Sequence, residues 1–219
     1  MRTVTTVWIL WVLLAHWDGT VLAADSKDSH TPRREITIET YNLARIGSQT
    51  LVQAEQLTTS VFAVAGVGVR WTTGSPSETA RLVNDFSAVH QDQCAADLPL
   101  TIVRVQFLTR APNGFSPRAL GYALPCAKRG IQVTLYVDRM EAVSYRHFAA
   151  LDRVLGYALA HETGHVLLRS STHASRGLMK AVWARDDWQR AGVEVIPFTL
   201  DQAKQMAGTP QRADDQMAP

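Results

Sequence analysis

SYRHFAALDRVLGYALAHETGHVLLRSSTHASRGLM, residues 144–179, is the stretch whose reading decides the fold. Apolar residues recur through its first part at three- and four-residue steps: Phe148, Leu151, Leu155, Ala158, Leu159 and Val166. That period marks one face of an α-helix and predicts a single long helix from about Ser144 to Leu168. His161, Glu162 and His165 stand near its end. Two histidines four apart lie one turn apart on one helix face, with Cβ atoms about 5–6 Å apart. Their imidazoles can meet one tetrahedral ion at about 2.0–2.1 Å each. Glu162, one position past the first histidine, is too short and misdirected to join them, and is placed to act on a water held by the ion. Zinc lowers the pKa of such a water to near neutrality, and a carboxylate beside it takes the proton and passes it to a leaving amine.

A zinc site needs at least three protein donors. The nearest downstream candidate is His173, which suits a helix that ends near Leu168 and a chain that doubles back. Asp186 and Asp187 come next, and Cys126 would serve if it were a free thiolate. His147 is nearly four turns from His161 on a straight helix, too far to join the site. His30 and His90 lack a partner pattern and read as solvated.

Outward from this helix, the earlier half of the chain is rich in strand patterns. Ile36, Ile38 and Thr40 alternate with Thr37 and Glu39, the pattern of a half-buried strand. Ser48 is placed to cap a helix through about Ala65, with Leu51, Ala54, Val61, Phe62 and Ala65 on one face and Gly66 and Gly68 stopping it. Val67, Val69 and Trp71 begin a second strand, and a short helix carrying Leu82, Val83 and Phe86 follows Pro76. Val103, Val105 and Phe107 form a third strand, and Ile131, Val133, Leu135 and Val137 a further one. The connection from Ala111 to Gly130 is either an edge strand or a loop. Thr199, three residues before Gln202, opens a capped helix. Strands first and helices after predict an α+β domain with a small, mostly parallel or mixed sheet.

The chain has 219 residues, 46% of them hydrophobic, and a formal net charge of +2. This is ordinary globular composition, and the charge is too small and too dispersed to argue for nucleic acid. Residues 1–24 read as a signal peptide: Arg2, then the apolar Val7 to Ala15, then Val21-Leu22-Ala23-Ala24 as a small-residue cleavage site. The apolar run is about half the length a bilayer requires, so stable membrane insertion is not expected after its removal. Residues 25–34 read as a flexible leader, 35–207 as the folded domain and 208–219 as a disordered tail. Export to an oxidising compartment, secreted or periplasmic, makes a Cys94–Cys126 disulfide the expected state of the two cysteines.

With those residues set out, the chain resembles the metzincin metallopeptidases. HETGH, a downstream histidine and then Gly177-Leu178-Met179 are similar to that family's zinc helix, ligand-bearing turn and methionine turn. The order strand, helix, Gly-containing turn, strand ending in Trp71, two strands and zinc helix is similar to its N-terminal half, so the resemblance runs from about Glu35 to Met179. It implies that Met179 forms an apolar floor beneath the zinc. Leu168 and Ser171 occupy the places of the family's glycine and third ligand, so His173 fits with two extra residues in the turn. Arg169 stands where a helix-ending glycine is expected, and Ala181 where some members carry a tyrosine.

The expectation is a monomeric, secreted, zinc-dependent (Zn2+) endopeptidase acting on peptides or proteins, with His161, His165 and His173 as ligands and Glu162 as general base and acid. The substrate would lie along a sheet edge near Gly121 to Leu124. Two other readings stand beside it. One is an exported, zinc-stiffened binding domain without turnover. The other is a different zinc amide hydrolase, with Cys126 as ligand in the manner of peptide deformylases.

Overall fold

The computed structural model describes residues 34–75, 101–127 and 129–208. The expected signal segment, nearly all of the leader, the helix after Pro76, Cys94, His30, His90 and the tail past Gly208 lie outside them.

Five strands form one sheet: β1 (Arg34–Asn42), β2 (Val67–Thr73), β3 (Ile102–Leu108), β4 (Gly121–Ala123) and β5 (Val133–Tyr136). Their order is β2-β1-β3-β5-β4. The first four in that order run parallel and β4 is antiparallel to β5, so the domain is α+β with a mixed sheet, as the pattern predicts. Arg34 already belongs to β1 and pairs with Val67, one residue earlier than the expected start of the domain. Alternation sets the faces of β1, with Ile36, Ile38 and Thr40 buried and Glu35 exposed. β5 differs. All four of its residues are buried, because it lies inside the sheet and is covered on both faces. Val137 does not extend it but opens the next helix, and Ile131 is buried ahead of it.

The helices are α1 (Ser48–Val64), α2 (Val137–His147), α3 (Leu151–Leu168), α4 (Arg185–Val193) and α5 (Leu200–Met206). Ser48 is the first helical residue rather than the cap, since Gly47 takes the cap position and makes no side-chain bond. Thr199 behaves as expected. Its hydroxyl accepts from the Gln202 N–H while the Gln202 side chain accepts from the Thr199 N–H. α4 was not foreseen, because its nine residues carry little apolar periodicity.

The single helix expected from Ser144 to Leu168 is two. Phe148 sits in the left-handed region at φ 53° and ends α2, and its side chain is 87% exposed rather than part of the core. Ser144 secures the break, its hydroxyl donating to the Ala149 carbonyl at 2.6 Å and its carbonyl accepting the Ala149 N–H at 3.2 Å. The apolar spacing ran through the break unbroken because residues of two helices happened to keep step.

α3 is the spine. Thirteen of its 18 residues are buried, so most of its circumference is covered. It lies hard against α1 at Gly156, where the Thr58 hydroxyl reaches both the Ala54 carbonyl at 2.9 Å and the Gly156 carbonyl at 3.0 Å. Among the described residues no helix is long and apolar enough to cross a membrane.

A methyl group on Gly156 would meet the Ala54 carbonyl oxygen at 2.9 Å and Leu57 at 3.0–3.1 Å. Gly156→Ala would favour the helix by about 1 kcal/mol on propensity alone, yet the clash is with backbone and opposes it by about 1–3 kcal/mol. The expected result is a lower melting temperature; an unchanged or raised one would show that the helices part freely.

Candidate metal centre

α3 places His161 and His165 one turn apart, and the chain then reverses sharply. Arg169 makes the reversal in the left-handed conformation, φ 51° and ψ 40°, where a glycine was expected. The Ser170 N–H donates to the His165 carbonyl at 3.1 Å and the Arg169 N–H to the Val166 carbonyl at 3.3 Å, closing the end of the helix. The residues after this turn bring His173 back over the helix. The three imidazoles form one group whose ligand atoms all lie within 4.8 Å of one another. Their ring centroids are 4.8, 5.3 and 4.8 Å apart. The gap of eight residues therefore suffices.

The orientation of two rings is fixed by backbone. His161 Nδ1 lies 2.9 Å from the Leu178 carbonyl and His165 Nδ1 lies 2.7 Å from the Ser170 carbonyl. A carbonyl only accepts, so each Nδ1 carries the proton and each Nε2 carries a lone pair. Those two Nε2 atoms are 3.2 Å apart. Two lone pairs at that distance repel unless a cation lies between them. Two ligands at about 2.0–2.1 Å from one tetrahedral ion would be about 3.3 Å apart, so the spacing suits a shared metal. Burial lowers the His161 pKa to about 4; the Leu178 bond works against this, and the neighbouring His165 and His173 add to it. His165 is lowered in the same way, by burial first and by His173, against the bond to Ser170. Both rings are thus neutral at ordinary pH, the state a metal requires.

Glu162 faces the same cleft, and burial raises its carboxyl to about 8. A buried carboxyl with no counter-charge keeps its proton. A cation on the neighbouring imidazoles would reverse that preference.

The loop from Ala174 to Lys180 locks the group from below. Gly177 is at φ 72°, Leu178 donates its N–H to the Pro197 carbonyl at 2.9 Å, and Ala174 donates to the Met179 carbonyl at 2.8 Å. Met179 is fully buried. A methyl on Gly164 would lie 2.9 Å from the Met179 sulfur and 2.7 Å from the Phe198 ring, so both press on the helix backbone beside His165.

The other candidates are elsewhere. Asp187 is held by Lys180 at 2.6 Å, by the Ala184 N–H at 2.7 Å and by Arg190 at 3.0 Å. Burial alone would raise its carboxyl, but these three partners outweigh burial and lower it. It is a structural anion that orders the start of α4, and Asp186 is exposed beside it. Among the described residues Cys126 belongs to no metal-competent group, and it is not a free thiol. His147 stays outside the group of imidazoles, as expected, although the straight helix on which that expectation stood is broken. The break at Phe148 brings it to the cleft wall, 6.3 Å from Trp188 in a stacked arrangement, though it does not join the three imidazoles.

The cleft has a volume of about 850 Å³ and is lined by β4, α2, α3 and the segment after Met179. Tyr157, Trp183 and Trp188 form an aromatic wall that no sequence motif announced, with centroids 5.1 and 4.8 Å apart. The one signal for it was the presence of two tryptophans soon after the Gly177-Leu178-Met179 turn.

No protein-family model matches the chain, and no curated protein matches its sequence. Among solved structures it is similar to archaemetzincin from Methanopyrus kandleri, at 15% identity and a TM-score of 0.45, over 78% of this chain and 93% of that one. It is also similar to metalloproteinase-II from Bacteroides fragilis, at 13% identity and a TM-score of 0.43, over 81% of this chain and 53% of that one. The chemistry of the site rests on its own geometry.

Glu162 gives a pH signature in protein stripped of metal. Its carboxyl is raised from an ordinary value of 4.5 to about 8, so the folded state holds a proton that the unfolded state has released. Its contribution to stability is complete below pH 4.5 and is lost as pH rises towards 8. A glutamine at this position would carry no charge at any pH. Metal-stripped Glu162→Gln should therefore melt above the metal-stripped parent at about pH 8, with the gap closing by about pH 5. A gap independent of pH would show that burial does not control this group.

Proposed function

We propose that the chain is an exported zinc-dependent endopeptidase of the metzincin type, with His161, His165 and His173 as the ligands. The observation that carries this is the pair of Nε2 lone pairs 3.2 Å apart, each ring fixed by a carbonyl on its far nitrogen, with His173 closing the third side. Zinc bound there would supply a Lewis acid and a water acidic enough to lose its proton near neutral pH. The chain's own groups do the rest. Glu162 takes a proton from the attacking water and returns it to the leaving amine, which needs a carboxylate whose affinity for a proton lies near working pH. β4 offers its outer edge to an extended substrate, since no described strand pairs with it there, and its residues line the cleft beside the imidazoles. Tyr157 shapes the wall without taking part, its hydroxyl being engaged by the Glu194 carbonyl at 2.8 Å and the Ile196 N–H at 3.2 Å.

The same reading includes removal of residues 1–24, a secreted or periplasmic location, a Cys94–Cys126 disulfide and action as a monomer. A non-catalytic binding module would be favoured by a defective turn at Arg169, which stands in place of a glycine, and by a third histidine too late to reach the other two. Arg169 adopts the conformation a glycine would have supplied, and His173 reaches the other two rings. Both features lose their force.

Metal analysis and peptide digestion of three proteins test the proposal. The parent should hold one zinc per chain, cut a mixed peptide library, and lose activity to a chelator with recovery on added zinc. Glu162→Gln should keep the zinc and lose about 10²–10⁴-fold in rate, while His173→Ala should lose metal. Undiminished hydrolysis by Glu162→Gln, or full zinc occupancy in His173→Ala, would defeat the assignment of roles.

A further inference from the structure

Among the described residues, the charges that line the cleft are almost entirely of one sign. Arg118, Arg139, Arg146 and Lys180 face it, and among the described residues Glu162 is the one acidic residue in its lining. Lys180 is answered by Asp187 at 2.6 Å. The three arginines are not answered: among the described residues none forms an ion pair with a carboxylate. Arg118 and Arg146 are exposed, and Arg139 is half-buried and donates to the Ser116 carbonyl at 2.6 Å.

Their placement is not a general excess of positive charge, since the whole chain carries only +2. α2 carries Asp138 and Glu141 as well as Arg139 and Arg146, yet of these four only the two arginines line the cleft. They stand with Ala142 and Val143 at steps of three and four, one helical face turned to the cleft. Helix stability does not ask for this arrangement. A cation at Arg146 in the last turn is favoured by the helix dipole, but Arg139 in the first turn is opposed by it. Arg118 lines the same cleft on the approach to β4, two residues from Ser116, whose carbonyl accepts from Arg139 at 2.6 Å. About seven residues of helix rise about 10.5 Å, the reach of about three residues of extended peptide.

From this we infer that the cleft selects carboxylate-bearing peptides: Arg118, Arg139 and Arg146 receive acidic groups of an extended chain laid along β4. The inference rests on the peptidase reading for its setting, but binding alone tests it. Carboxylates can come from acidic side chains or from a free chain terminus, and the guanidinium recognises either through paired N–H donors.

The test uses zinc-loaded Glu162→Gln protein, which holds a peptide without cutting it, and fluorescent eight-residue peptides read by anisotropy. A Glu-rich peptide blocked at both ends should bind at least about tenfold more tightly than its Lys-rich counterpart at low salt, with the ratio shrinking at high salt. Arg118→Gln with Arg146→Gln, both exposed and remote from the core, should bring the ratio near one. Arg118→Glu with Arg146→Glu should invert it. If only peptides with a free C-terminus bind, the terminus is the recognised carboxylate. Equal affinity for acidic and basic peptides, or a preference that survives the double variants, would overturn the inference. So would tighter, arginine-dependent binding of a single-stranded oligonucleotide, which would point to phosphate instead. Failure of the parent to cut any peptide while the binding preference stands would strike the peptidase reading and leave this one intact.

Discussion

Two carbonyl oxygens, those of Leu178 and Ser170, decide what α3 can do. Each takes the Nδ1 proton of a histidine, and by doing so turns an Nε2 lone pair towards the same point in space. Without these acceptors the two rings would be free to choose a tautomer in which one Nε2–H bonds the other, and the pair would be an ordinary polar contact. With them, two lone pairs face each other at 3.2 Å, a spacing that suits a shared cation. The Nδ1 bonds thus supply both orientation and basicity, the two properties a metal asks of an imidazole.

Those acceptors come from segments that must be held in place, and the fold holds them from both sides of the helix. Ser170 is set by the left-handed turn at Arg169, a conformation that costs a non-glycine residue about 1–2 kcal/mol. Leu178 is set by the loop beneath, through its own N–H to Pro197 and through Met179 and Phe198 pressed against Gly164. The close fit at Gly164 is why the helix carries a glycine between its two histidines, despite the penalty glycine brings to a helix interior. Core packing and site geometry are therefore one problem here. The hydrophobic cluster that contains Met179 and Phe198 also contains Val154, Leu155 and Leu159 of the same helix.

Much of this was legible in the sequence, though unevenly. The strand of Ile36 and Ile38, the cap at Thr199 and the pairing of His161 with His165 follow from periods and spacings that act over one or two turns. His173 was legible as a candidate because three donors are needed and few residues offer themselves. The break at Phe148 was not, because an apolar aromatic fits a helix face well and gives no sign that Ser144 will capture the Ala149 carbonyl. His147 was rightly kept out of the group of imidazoles, but its place on the cleft wall was not legible, because its distance from His161 was reckoned along a straight axis that the chain does not follow. Arg169 misled in the opposite direction. Left-handed backbone favours glycine but does not demand it, so the missing glycine suggested a defect where the structure has an intact turn. Backbone acceptors such as Leu178 leave no mark on a sequence, since any residue has a carbonyl.

Glu162 shows what the surrounding core asks in return. A carboxyl raised to about 8 by burial is an unfavourable place to keep a negative charge, and a fold selected for stability alone would put an apolar residue there. The same burial makes it effective once a cation is near: the two charges interact in a medium of lower polarity than water, and the proton affinity of the carboxylate falls towards the working range. The neutral imidazoles follow the same logic, since the burial that denies them a proton leaves their lone pairs available for metal. Histidine and glutamate here are each held in the form that is uncharged alone, the form the proposed divalent ion would put to use. On the proposed function, burial, metal affinity and proton transfer would be three consequences of one arrangement, and a substitution that wetted the site would weaken all of them at once.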